Sequence, residues 1–91
     1  MWFNSIQFVE CKTSQLNHFF KVKEFLEGGR EVYHFVRIPK DEAYKGFVKM
    51  LKKGDSFVLN ELAKEEELTP SGVPFFITEE FYSDKIDGKM R

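Results

Sequence analysis

Residues Phe19 to Ile38 constrain the fold more than any other stretch. Two runs, FFKVKEFL and EVYHFVRI, flank Gly28-Gly29. Both are rich in aromatic and β-branched residues, and a Gly-Gly step between such runs marks a β-hairpin. Side chains alternate across a strand, so the loop length decides which residues share a face. A two-residue loop mixes apolar and charged side chains on both faces. A three- or five-residue loop centred on Gly29 separates them, and it alone gives the sheet a dry side. One face then carries Phe20, Val22, Leu26, Val32, Val36 and Ile38, with Glu24 and His34 as exceptions. The other carries Phe19, Lys21, Lys23, Phe25, Tyr33, Phe35 and Arg37, a surface both cationic and aromatic. A competing reading caps a helix at Thr13 or Ser14 and runs it to Glu27, giving a ferredoxin-like α+β domain. The Lys-Val-Lys alternation and the poor helix propensity of Phe and Val favour the strand.

The flanking segments extend this pattern. Residues 2–12, WFNSIQFVECK, read as a strand whose imperfect alternation implies a bend or a bulge. Pro39 ends the hairpin. Asp41 and Glu42 suit a helix start, and Ala43, Phe47, Met50 and Leu51 recur at helical spacing. Lysines 49, 52 and 53 suit its end and Gly54 its stop, so a helix is expected over 40–53. Residues 56–63 are expected as a strand, and 64–72, KEEELTPSG, as a polar loop closing in a Pro-Ser-Gly turn. Residues 73–82 are expected as a further strand, with SDKIDGKMR after it as a polar, frayed end. The predicted fold class is all-β: a five-stranded barrel with one helix between strands 3 and 4, the order of the OB-fold. It spans residues 1–82 and leaves 83–91 as a C-terminal tail.

Composition limits the functions available. Ninety-one residues make one domain, and a net charge of −1 means that any anion-binding surface comes from local segregation of charge. Eleven Phe, three Tyr and Trp2 exceed what one small core holds, so some aromatics are expected at the surface as an interface or a stacking platform. Cys11 is the one cysteine and allows no internal disulfide. His18 and His34 stand apart with no ligand-spaced partners, so no metal is expected. No nucleophile elbow, phosphate loop, zinc signature or HExxH occurs, and adjacent Asp41 and Glu42 point apart on a helix. No enzyme activity and no cofactor are therefore expected. The absence of a signal-peptide pattern and of an 18-residue apolar run makes a cytoplasmic chain without membrane contact the expectation.

Four short runs carry a resemblance. In Glu31-Val32-Tyr33-His34 an aromatic precedes histidine after an acidic residue. FVKMLKKGD, from Phe47 to Asp55, closes a helix on Leu-Lys-Lys-Gly. Phe57-Val58-Leu59 follows as a short apolar run, and GVPFFIT, from Gly72 to Thr78, joins a glycine turn to an aromatic-then-threonine strand. In this order and spacing, residues 20–82 resemble the bacterial and phage single-stranded DNA-binding proteins with an OB-fold. The resemblance implies base stacking on the second and third strands, with Phe25 and Tyr33 in the stacking positions. The chain departs from that family in three ways. Residues 64–72 hold no aromatic but Glu65, Glu66 and Glu67, the family's acidic C-terminal tail is missing, and the first strand lacks its glycine pattern. A divergent phage or mobile-element member is expected.

The expected function is therefore non-enzymatic binding of single-stranded DNA, or RNA, by a homo-oligomer through Phe19, Lys21, Lys23, Phe25, Tyr33, Phe35 and Arg37. Stacking contributes roughly 1–3 kcal/mol per base. Lys21, Lys23 and Arg37 would neutralise phosphates. The alternative is a protein-interaction module, for example a small phage inhibitor of a host protein, using the same aromatic face. The near-zero net charge and the glutamate run favour it.

Overall fold

The hairpin forms around two glycines. Gly28 and Gly29 both take φ +79°, a region that costs a side chain energy but glycine little. With Glu27 they make one short 3-10 turn. The turn joins strand β2, Asn17–Phe25, to strand β3, Glu31–Pro39, and overturns the helical reading of residues 14–27. Pairs run Phe25 with Glu31, Lys23 with Tyr33, Lys21 with Phe35 and Phe19 with Arg37. The loop is odd in length, as the sorting of side chains requires, but it is centred on Gly28. Each β2 residue therefore meets a β3 residue two places earlier than a loop centred on Gly29 would give. A shift of two keeps every side chain on its face.

The computed structural model describes residues 4–68 and 75–87. Strand β1, Ile6–Thr13, pairs with the far side of β2, and its register slips between Phe8 and Glu10. This bulge is the irregularity its sequence implies. A two-residue strand β4, Phe76–Ile77, pairs with β3 at Phe35 and Val36. The result is an open antiparallel sheet in the order β1-β2-β3-β4.

The OB-fold expectation is corrected here. Among the described residues the sheet is open, has four strands and carries three helices, and helical conformations hold 46% of these residues against 36% in strands. The fold is thus neither all-β nor a five-stranded barrel. Helix α1, Lys45–Lys53, follows a 3-10 turn at Glu42–Tyr44, so the helix expected from residue 40 begins later. It stops, as expected, at Gly54 with φ +81°. Residues 56–63 are not a strand. Asp55 Oδ1 accepts the Phe57 N–H at 3.0 Å and starts helix α2, Phe57–Leu68, which absorbs the first half of the expected loop. Val58 and Leu62, four apart, form its buried stripe. The predicted Pro70-Ser71-Gly72 turn, Val73 and Pro74 lie outside the described residues.

Among the described residues, the strand expected over 73–82 is only β4. At Thr78 the hydroxyl accepts the Phe81 N–H at 3.0 Å and opens helix α3, Glu79–Phe81, which continues as a wider-wound segment over Tyr82–Asp87. The end expected to fray is therefore helical as far as Asp87, and Ile86 is buried.

These elements cover the sheet unequally. Phe20, Val22, Val36 and Ile38, with Ile6 and Phe75, pack against Leu51 of α1 and Val58 and Leu62 of α2. This is the apolar face read from the sequence. The opposite face is covered over part of its length, where Tyr82 and Ile86 lie on Phe19 and Phe35. No described helix is long and apolar enough to cross a membrane.

Candidate interaction surface at the hairpin end

All seven residues expected at a binding surface follow the parity of one sheet face, but they do not share one environment. Phe19 and Phe35 are buried, at 6% and 7% exposure. The Phe35 ring lies 4.9 Å from that of Tyr82, centroid to centroid. Tyr82 in turn donates its hydroxyl to Glu10 Oε1 at 3.0 Å, and Lys12 pairs with Asp87. Burial first, then the Glu10 carboxylate, push the Tyr82 phenol far above its ordinary value, so it remains a donor. Two rings of the expected platform thus belong to a second small core.

Lys21, Lys23, Phe25 and Tyr33 remain together toward the hairpin end. Lys21 Nζ stands 4.7 Å from the centre of the Tyr33 ring, and Lys23 Nζ lies 5.3 Å from Tyr33 and 5.9 Å from Phe25. These are cation–π distances. Lys23 also pairs with Glu31 Oε2 at 3.3 Å, and that hydrogen bond raises its pKa. Phe25 is 38% exposed and Tyr33 43%. Arg37 lies at the far end of the face, with Nε and Nη2 buried and without a hydrogen-bond partner.

The two polar exceptions on the core face satisfy each other. His34 Nε2 and Glu24 Oε1 are 2.8 Å apart, and Asn4 Nδ2 donates to Glu24 Oε2 at 2.9 Å. Burial raises the Glu24 pKa, but the hydrogen bonds from Asn4 and His34 outweigh it and leave the carboxyl below its ordinary value.

Sequence reasoning missed one feature, the open edge of β3. Arg37 N–H donates to the Phe75 carbonyl at 2.6 Å, which fixes the parity: odd-numbered residues of β3 aim their backbone groups away from β2. Strand β4 ends at Ile77, opposite Phe35. Beyond it, Tyr33 and Glu31 have no strand opposite them among the described residues. A groove of about 380 Å³ borders this edge, lined among others by Val32, Tyr33, Phe76, Ile77 and Glu79. Val32 is 36% exposed on the opposite sheet face from Tyr33, so the edge has apolar side chains on both sides. The usable signal in the sequence was Thr78 followed by Glu79-Glu80, a helix-capping pattern that stops the neighbouring strand early.

No family model, curated protein or solved structure matches this chain. The resemblance to single-stranded DNA-binding proteins therefore rests on its four quoted runs alone.

Proposed function

We propose that this chain is a non-enzymatic protein-binding module that receives an extended segment of a partner as an added strand along β3. The open edge at Glu31–His34 carries the reading. Tyr33 and Glu31 offer N–H and C=O groups to an incoming strand, and Phe25, Val32 and Tyr33 offer apolar contact beside it. A backbone hydrogen bond adds only about 1 kcal/mol net, so the edge sets register and the side chains supply most of the affinity. Selection from a displayed library of random peptides on the immobilised protein tests this. Enrichment of extended, apolar-alternating peptides is expected, with binding lost in Tyr33→Pro, which removes one edge N–H. Peptides that bind Tyr33→Pro as well as the unaltered chain, with the fold checked by circular dichroism, would refute strand addition.

A second reading is favoured by one observation, the placement of two ammonium groups against exposed rings. Lys21, Lys23, Phe25 and Tyr33 form a compact site for a single strand of nucleic acid. Two phosphate contacts give a salt slope of about −1.4 for a single strand, shallow and weak. Fluorescence anisotropy with oligo-dT across a salt series checks it, and no binding at low salt removes this reading.

A further inference from the structure

Arg37 presents a problem that the surface at the hairpin end does not solve. Its guanidinium is charged at all physiological pH values. Yet Nε and Nη2 are buried without a hydrogen-bond partner, and Arg37 forms no ion pair among the described residues. Buried charged donors are normally paired. These two N–H groups lie on one edge of the guanidinium, at the spacing that grips both oxygens of a carboxylate. The residue also lines a cavity of about 290 Å³, with Phe76, Ile77, Thr78 and Phe81. Among the described residues, the lining holds one positive charge, no acid and three apolar side chains.

We infer that this cavity binds a carboxylate with a small apolar body. Arg37 takes the two oxygens, and Phe76, Ile77 and Phe81 take the rest. The Thr78 hydroxyl oxygen already accepts the Phe81 N–H, which leaves its own hydrogen to donate. A single cation matches a monoanion, and a phosphate dianion would lack donors here. The volume, about ten waters at roughly 30 Å³ each, suits a group of amino-acid size. Arg37 Nε and Nη2 are covered, so binding turns the flexible side chain to bring that edge into the cavity. This inference rests on Arg37 and its cavity, and it does not require strand addition at β3.

The carboxylate can come from a free acid or from the end of a peptide chain. Titration of the full chain, followed by NMR, with 3-phenylpropionate and with 3-phenylpropionamide separates charge recognition from apolar binding. A short peptide ending in Phe, with a free or an amidated C-terminus, tests the other source. At least one free carboxylate is expected to bind about tenfold or more tighter than its amide, the loss of one charge-assisted pair. Shifts should centre on Ile77, Thr78 and Phe81, and Arg37→Met should abolish the preference while Arg37→Lys keeps only part of it. Equal binding of acid and amide in both pairs overturns the inference. So does a preference unchanged in Arg37→Met. If Arg37→Met does not fold, the acid–amide comparison on the unaltered chain still decides.

Discussion

Glu24 and His34 interrupt an otherwise apolar face, and each is the other's solution. They stand on neighbouring strands with facing parity, so their pairing was implicit in the hairpin register, although the sequence showed them only as exceptions. The pairing has a pH signature. The Glu24 carboxyl lies below its ordinary value of 4.5 in the folded chain. Its contribution is therefore complete above that ordinary value and is lost as pH falls through the lower, folded value. Thermal melts are expected to show stability falling with acid in that window, and Glu24→Gln should flatten this part of the profile. Identical profiles would mean that the carboxylate contributes nothing. Phe19, Phe35 and Arg37 teach a different lesson at this scale. Their parity on the sheet was readable from alternation. The burial of the two phenylalanines was not, because it depends on Tyr82 and Ile86, more than 40 residues later in the chain.

Among the elements, the hairpin was legible and α2 was not. Two glycines and two alternating runs leave few options for residues 19–38. Phe57-Val58-Leu59, by contrast, is too short to separate strand from buried helix by pattern alone. What decided it was the Gly54-Asp55 pair, a helix stop followed at once by a helix start, together with the helix-forming run after Asn60. The same glycine allows a test of sign. Gly54 has φ +81°, and a Cβ there would sit 3.1 Å from the Ile6 carbonyl oxygen. Gly46, inside α1, has nothing within 4 Å of such a Cβ. Gly54→Ala should lower stability by about 1–3 kcal/mol. Gly46→Ala should raise it by roughly 0.5–1 kcal/mol. Urea unfolding midpoints read both, and the same sign for the two would contradict the backbone assignment.

For the whole molecule, the hairpin pairing and the apolar face of the sheet followed from local pattern, but the strand count and the closure did not. A barrel needs a long final strand, and Thr78 ends that strand by capping a helix. The chain then returns over the second face of the sheet and builds a small core from Phe19, Phe35, Tyr82 and Ile86. Ile86→Ala should cost about 2–5 kcal/mol, the range for truncating a buried aliphatic side chain. It should also increase binding of a hydrophobic dye as Phe19 and Phe35 become accessible. A loss below roughly 0.5 kcal/mol, the usual range for a surface change, would show that the C-terminal segment does not hold that face.

The bulge in β1 bears on assembly. An open sheet has two edges, and a molecule whose two edges fit each other stacks head to tail without limit. Here the outer edge of β1 breaks register between Phe8 and Glu10, with charged Glu10 and Lys12 following. Bulges and charges of this kind deter edge-to-edge growth. Among the described residues, the open stretch of β3 is the smoother of the two edges, so the joining of β3 to the β1 edge of another copy, the step head-to-tail growth needs, is disfavoured.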